Sequence, residues 1–285
     1  MLRKIRYALE AVVLFFAFLL FRLLPLDMAS GFGGLLARIL GPFSRAHRTA
    51  ENNITMAMPE LNQYQVRKIL GDMWENLGRV IGEYPHLSGA QIKQRLTIEG
   101  QENLRQSMAL GKGALVVSGH FANWEIVPLT AALNGFPAVL IYRAANNPIA
   151  EWFIQRIRSR YNLNMFNKGH EGARKIIKAL KEGKTVGILV DQKLNDGRPI
   201  PFFGRDAMTA MAAVQLAIKL QVPLLAARVV RTDGAHFHVS VQPAKIYDPS
   251  ADADKEMLEL HKLFESWIRE YPAQWFWVHN RWGKK

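Results

Sequence analysis

The sequence contains no cysteine, and this absence excludes several kinds of chemistry. Without thiols the chain forms no disulfides, builds no zinc site with cysteine ligands and has no cysteine nucleophile. Acidic residues are also few, because 24 Asp and Glu stand against 37 Lys and Arg and leave a formal net charge of +13. Such an excess attracts polyanions, so nucleic acid, an anionic membrane surface and a phosphorylated substrate are all candidate partners.

Internal repeats, low-complexity segments and composition breaks that would mark a linker are absent too. The 285 residues are 49% apolar and 21% charged, proportions typical of a folded globular protein. A chain of this length forms one large domain or two small ones. The lack of a linker favours one domain with an added N-terminal element.

The N-terminal element begins with the basic residues Arg3, Lys4 and Arg6, and an apolar run follows over residues 11–21. A helix over residues 8–26 would be about 28 Å long, close to the ~30 Å hydrocarbon core of a bilayer. A cleaved signal peptide, a membrane-spanning anchor and a helix in the membrane interface are three alternatives. Basic residues on both sides of the run favour retained attachment to a lipid surface.

The rest of the chain alternates between short apolar runs and amphipathic stretches. Strands are predicted at residues 114–118, 138–142, 185–190, 223–230 and 236–242. Helices are predicted at residues 61–84, 123–134, 148–161, 171–183, 208–221 and about 252–271. This alternation predicts an α/β fold with a mixed, largely parallel central sheet flanked by helices.

The stretch "SGHFANWEI" (118–126) lies where the first of these strands ends and a helix begins. Ligands bind at the carboxyl ends of strands in open α/β sheets. Gly119 permits a tight turn there, and Asn123 is suited to cap the following helix. Glu125 would then lie in the first helical turn, close to the ring of His120. A neutral imidazole oriented by a carboxylate is the arrangement of a general base.

Other chemistry fits this stretch poorly. Ser118 is not part of a Gly-x-Ser-x-Gly elbow, which excludes that type of serine nucleophile. The histidine spacing does not match a His-Glu-x-x-His zinc helix, so no metal site is predicted. As an isolated spacing, His120 and Glu125 are either a catalytic pair or two incidental polar residues.

The stretch "SGHFANWE" resembles the His-x-x-x-x-(Asp/Glu) motif of the glycerolipid acyltransferase superfamily, and its Asn-Trp-Glu form is similar to the lipid A late acyltransferases of the lauroyl and myristoyl type. The resemblance covers essentially the whole chain, including the hydrophobic N-terminus. Further blocks that are similar to this family occur, in the family's order, at residues 46–61, 142–148, 187–193, 201–209 and 271–282.

The resemblance implies transfer of an acyl chain from an acyl carrier protein or coenzyme A thioester to a hydroxyl of a membrane-bound lipid A precursor. His120 would be the general base and Glu125 its orienting carboxylate, without a metal or organic cofactor. The family implies a place on the cytoplasmic face of a bacterial inner membrane. Residues 1–60 would form a membrane-anchoring helical segment, with its hydrophobic membrane helix, and residues 61–285 the acyltransferase domain.

The resemblance also implies a set of substrate-binding residues. Arg143 would bind an acceptor phosphate or the developing oxyanion, or is a surface residue. Of three arginines on the helix predicted at 148–161, Arg158 is expected to face the site. Asn147 belongs to a family-like block, and Asp191 and Gln192 follow a strand at its carboxyl end, where Asp191 is either a site residue or paired with a neighbouring lysine.

Two alternative functions remain at this stage. One is an acyltransferase of the same superfamily that acts on another acceptor, such as a glycolipid or a lysophospholipid. The other is a basic membrane-binding protein without catalysis. Nucleic acid is disfavoured as a partner because the basic residues are dispersed and form no recognised binding module.

Overall fold

The computed structural model describes residues 2–87, 89–136, 138–142, 147–158, 164–167 and 170–283. The α-helices of these residues are Leu2–Leu23 (α1), Leu26–Leu40 (α2), Arg45–Ala57 (α3), Gln63–Glu83 (α4), Gly89–Lys93 (α5), Gln101–Ala109 (α6), Ile126–Leu133 (α7), Pro148–Arg158 (α8), His170–Lys181 (α9), Ala212–Leu220 (α10) and Ala253–Glu270 (α11). The strands are Leu96–Glu99 (β1), Ala114–Ser118 (β2), Ala138–Tyr142 (β3), Asn164–Asn167 (β4), Thr185–Leu189 (β5), Lys193–Phe202 (β6), Arg205–Thr209 (β7), Leu224–Asp233 (β8) and His236–Val241 (β9).

A seven-stranded sheet in the order β1-β9-β8-β2-β5-β3-β4 forms the centre of the fold. Its pairings are parallel except for β8 with β9, which are antiparallel. The sixth and seventh strands along the chain lie outside this sheet, since β6 pairs with β7 in a separate antiparallel hairpin. The predicted mixed, largely parallel sheet flanked by helices is therefore confirmed.

Some elements differ from the sequence-based expectation. The helix predicted at 208–221 begins only at Ala212, because the residues before it pair with β6 as strand β7. The short edge strands β1 and β4 were not predicted, since each has only four residues. Short strands of this kind carry too little alternation to be recognised from sequence alone.

The N-terminal helix differs from the predicted membrane-spanning anchor. Within the described ranges, no helix combines the length and the apolar content that crossing a membrane requires. The physical reason is visible in α1, whose 22 residues include basic residues near both ends and Glu10 within the helix. The spanning alternative is thus not supported.

The first three helices pack on the rest of the chain. Gly33 of α2 and Gly78 of α4 face each other so closely that a Cβ on either would overlap the other's backbone. The amide of Asn53 on α3 donates to the carbonyl oxygens of Trp277 and His279, each at 2.7 Å. The predicted boundary after residue 60 therefore lies between segments that are in intimate contact.

The aromatic C-terminal segment is a part of the core. Trp275 and Trp277 are both buried, and their rings meet edge to face with centroids 4.6 Å apart.

His261 on α11 is also buried, and its Nδ1–H donates to the carbonyl oxygen of Pro201 at 2.8 Å. Arg281 Nη2 lies 3.5 Å from His261 Nε2, which accepts from it. Burial lowers the pKa of His261 to about 4, so the imidazole is neutral at pH 7.

Acidification is expected to destabilise the fold through His261. Unfolding returns its pKa to about 6.5, so between about pH 6.5 and pH 4 the unfolded state binds a proton that the folded state does not. The free energy of unfolding should then fall with decreasing pH by up to about 1.4 kcal/mol per pH unit from this group. His261→Asn, which keeps a donor for Pro201 but does not titrate, should show a shallower dependence in urea unfolding.

The exposed His236 offers a matched control, since His236→Asn removes a histidine from the surface. That variant should follow the wild-type pH dependence. Burial also lowers the pKa of His279 to about 4, so some dependence persists in the His261 variant. Parallel curves for His261→Asn and wild type would contradict this assignment.

Candidate active site

Two neighbouring parallel strands bring the central residues of the site together. Ser118, the last residue of β2, is in register with Leu189, the last residue of β5. The chain leaves both strands at the same edge of the sheet, and His120 and Asp191 each follow two residues later. The carboxyl edge of a parallel sheet is where ligands bind in folds of this class.

Asp191 holds His120 through its backbone and its ring. The imidazole Nδ1 lies 2.7 Å from Asp191 Oδ1, and the His120 amide donates to Asp191 Oδ2 at 2.7 Å. The indole Nε1 of Trp275 donates to the same Oδ2 at 2.9 Å. The aspartate carboxylate thereby fixes the ring orientation, the loop backbone and the C-terminal aromatic segment at one point.

Electrostatics keep this carboxylate ionised. Burial alone would raise the pKa of Asp191, but attraction to His120 and the hydrogen bonds from His120 and Trp275 outweigh it and hold the pKa at about 2. An ionised Asp191 requires a proton on His120 Nδ1 for the hydrogen bond between them. The other ring nitrogen, Nε2, is then an acceptor, and Gln192 Nε2 lies 3.3 Å from it. In the neutral ring, the lone pair of Nε2 thus faces the Gln192 amide at the polar end of the site.

The loop after β2 depends on close approach and on a rare backbone conformation. A Cβ on Gly119 would lie 3.0 Å from Asp191 Oδ2 and 2.7 Å from the ring of Phe121, so glycine is required there. Ala122 has a φ of 42°, in the left-handed region that non-glycine residues seldom adopt. Its N–H donates to the carbonyl of Gln274 at 2.7 Å, and its carbonyl accepts from Asn76. These contacts hold the loop in place at the site.

Glu125 has a different partner from the predicted one. Its carboxylate accepts hydrogen bonds from Arg158, from Nε at 3.0 Å and from Nη2. Helix α7 begins at Ile126, so Glu125 stands just before the first turn, where Arg158 from the end of α8 reaches it. The carboxylate that orients the His120 ring in the structure is therefore that of Asp191, in place of Glu125.

A cavity of about 360 Å³ opens beside His120 and extends beneath the sheet's carboxyl edge. The polar side chains of His120, Glu125, Arg158 and Gln192 line one end. Further in, the wall is formed mainly by apolar side chains of β2, β3, β8, β9 and helices α6 and α7. Its lining reaches Thr185, the first residue of β5, four residues from Leu189, or roughly 13 Å along the strand. The shape suits a long, narrow apolar ligand with a polar end at His120.

A second buried carboxylate supports the loop from below. Glu83 is fully buried, is paired with Arg231, and accepts from Asn123 Nδ2 at 2.8 Å and from Ser30 Oγ at 2.7 Å. The expected capping residue Asn123 is thus also an anchor of the loop after β2. No feature of the single sequence indicated this network, because its members lie in four distant segments.

The remaining predicted residues fall in different places. Gln192 and Arg158 line the cavity with His120. Asn147 is directed away from it, donating to the carbonyl of Tyr7 and to Glu10 on α1, each at 3.0 Å. Arg143 lies outside the described residues. In the described ranges no three His, Asp or Glu side chains are grouped so that they could hold a metal.

The contribution of the Glu125–Arg158 ion pair to the free energy of unfolding can be measured. Both side chains are nearly buried, with 7% and 17% of their surface exposed. Arg158→Gln leaves the Glu125 charge without its partner, and we expect it to lower the free energy of unfolding by about 3 kcal/mol. The double variant Glu125→Gln/Arg158→Gln should lose less than the sum of the single variants in urea unfolding. Additive losses would contradict a coupled pair.

Comparisons with known proteins identify relatives along nearly the full length of the chain. The family model described as bacterial lipid A biosynthesis acyltransferase matches residues 1–284. A lipid A biosynthesis palmitoleoyltransferase of Escherichia coli (strain K12) is 25% identical over 271 residues, which are 90% of this chain and 86% of that protein. A lipid A biosynthesis lauroyltransferase of the same organism is 23% identical over 266 residues, with 89% and 83% covered.

A lipid A biosynthesis acyltransferase of Haemophilus influenzae is 24% identical over 261 residues, which cover 88% of this chain and 81% of the relative. The identities are low but extend along nearly the full length of both partners. Because the family model matches residues 1–284, the chain belongs to the bacterial lipid A biosynthesis acyltransferase family.

Proposed function

We propose that this acyltransferase moves a fatty acyl chain from a thioester to a hydroxyl of a lipid A-type acceptor. The observation that carries the proposal is an imidazole, oriented by a buried carboxylate, at the polar end of an apolar cavity. Family membership supports the reaction class and the acceptor. The net charge of +13 favours a phosphorylated acceptor and an acidic donor, which an acyl carrier protein or coenzyme A would be.

In the proposed mechanism His120 Nε2 takes the proton from the acceptor hydroxyl as its oxygen attacks the thioester carbonyl. The new C–O bond forms, the C–S bond breaks, and the departing thiolate takes the proton back from the imidazolium. Asp191 stabilises that imidazolium through the 2.7 Å hydrogen bond to Nδ1. The Gln192 amide, 3.3 Å from Nε2, would donate to the carbonyl oxygen as it becomes negative.

Glu125 and Arg158 receive a positioning role in this mechanism. Their ion pair ties α8 to the start of α7 and lies on the wall of the cavity. We assign to Glu125 the role of holding Arg158 beside the acceptor. The role of orienting the His120 ring and stabilising its protonated form belongs to Asp191.

Exchange of the reacting groups tests this mechanism. His120→Ala should lower kcat/KM by about a hundredfold to ten-thousandfold, since a general base contributes that much. Asp191→Asn should also lower it strongly, because a neutral amide does not stabilise the imidazolium. Transfer from acyl carrier protein thioesters to a lipid A precursor would be followed by mass spectrometry.

The matched control is His238→Ala, which breaks a histidine–carboxylate pair with Glu99 on the surface. It should keep the wild-type rate. Folded His120→Ala and Asp191→Asn proteins with wild-type rates would refute the catalytic assignment. Transfer to a lysophospholipid or another glycolipid, and none to the lipid A precursor, would refute the acceptor.

We further propose that α1 and α2 lie on a membrane surface, as the interfacial alternative requires. Large apolar side chains are exposed along both helices and just beyond them, including Phe16, Leu23, Leu35 and Phe43, which is 86% exposed. Basic residues such as Arg22 accompany them. Apolar groups next to basic ones favour the interface of an anionic bilayer.

Vesicle binding tests the membrane contact. Phe16→Ser/Phe43→Ser should bind anionic phospholipid vesicles about tenfold or more weakly than wild type in co-sedimentation, because each buried phenyl group contributes about 1.5–3 kcal/mol. Ile246→Ser, at an exposed apolar residue elsewhere, should bind like wild type. Equal binding by all three proteins would exclude this surface.

A further inference from the structure

Gly187 lies on the cavity wall between two residues with larger side chains. Val116 of β2 and Leu140 of β3 are the register partners of Gly187 on β5, so the three residues form one row across the sheet. All three line the cavity. Gly187 therefore leaves a gap in the middle of this row.

The backbone gives no reason for a glycine at this position. Gly187 is absent from the described residues with positive φ, and both ladders continue through it without a bulge. A Cβ there would meet the end of the flexible Leu140 side chain, Cδ2, at 2.9 Å and otherwise only Val139 O at 3.9 Å. Glycine weakens a strand and commonly marks a turn, a bulge or the close approach of a backbone or ligand. Because Gly187 lies in a regular strand and lines the cavity, the remaining reason for a glycine here is the close approach of a ligand.

The depth of Gly187 in the cavity determines how long a ligand must be to reach it. The row of Gly187 lies two residues, or roughly 7 Å, below the Ser118–Leu189 row at the carboxyl edge. Beyond it the cavity continues to Ala138 and Thr185. A chain that starts at His120 and reaches this inner part passes over Gly187, whereas a short chain ends before it.

We propose that Gly187 sets the acyl chain length that the enzyme accepts. The inference rests on the proposed function, in which the cavity holds the acyl chain. A side chain at position 187 would occupy the path of a long chain and leave room above it for a short one. Gly187 is thus a specificity-determining residue.

The test compares full-length wild type with Gly187→Ala and Gly187→Val. Their kcat/KM would be measured with octanoyl, lauroyl, myristoyl and palmitoyl thioesters of acyl carrier protein. The ratio of palmitoyl to octanoyl kcat/KM should fall by about 10- to 200-fold in Gly187→Val, the range that small steric differences in a pocket produce. Gly187→Ala should show a smaller fall.

A second substitution at Leu140 should rescue the chain-length preference of Gly187→Val, and a glycine-to-valine exchange at Gly71 serves as the control. Leu140→Ala removes the side chain that a residue at 187 would meet, so Gly187→Val/Leu140→Ala should regain part of the preference for long chains. General loss of packing would not be repaired by a second truncation. Gly71→Val makes the same exchange on α4, where a Cβ would meet only the flexible Arg38 side chain at 3.4 Å or more, and should keep the wild-type chain-length profile.

Calorimetric binding of the free fatty acids from octanoate to palmitate separates this inference from the proposed function. If wild type binds palmitate and octanoate, and Gly187→Val loses affinity for palmitate but keeps it for octanoate, then Gly187 limits the length of the bound chain. Absence of transfer from every thioester would in that case refute the proposed function alone. The same chain-length profile in wild type and Gly187→Val would overturn the inference. Wild-type protein that binds no fatty acid would overturn it too.

Discussion

The site depends on one buried negative charge, the carboxylate of Asp191. A buried charge is costly unless opposite charge and hydrogen bonds compensate it. Here the compensating groups are the ring and backbone of His120 and the indole of Trp275. The requirement to satisfy Asp191 therefore brings together the ends of β2 and β5 and the C-terminal segment. The same set of contacts stabilises the carboxylate and orients the His120 ring.

Three acidic side chains lie in or beside the loop after β2, and their partners are of two kinds. Asp191 faces a titratable imidazole, whereas Glu83 and Glu125 face arginines. Arginine remains charged throughout the physiological range, so its partners are fixed anions with structural roles. Only the imidazole partner can change its charge during a reaction. The choice of partner thus separates the one pair that contains a titratable base from the two pairs that shape its surroundings.

Much of the fold and part of the site follow from local sequence. The apolar runs of β2, β3 and β5 predicted these strands, and Gly119-His120 after the first of them placed His120 at the carboxyl edge. For Asp191 the sequence predicted either a substrate-binding residue or a partner of a neighbouring lysine, and not the partner of His120. That pairing depends on β5 lying next to β2, although β3, β4 and the three helices α7, α8 and α9 separate them in the chain. Strand order is set by global packing, and a five-residue spacing such as His120 to Glu125 carries no information about it.

The contact of Ser30 with Glu83 has a consequence for the architecture. The hydroxyl that α2 supplies reaches a carboxylate whose other oxygen holds Asn123 in the loop after β2. Asn53 of α3 likewise completes the backbone hydrogen bonding of Trp277 and His279. Truncation of the first sixty residues would therefore do more than detach a lipid-facing appendage. It would remove polar partners from beneath the site itself, so the N-terminal helices are part of the scaffold of the enzyme.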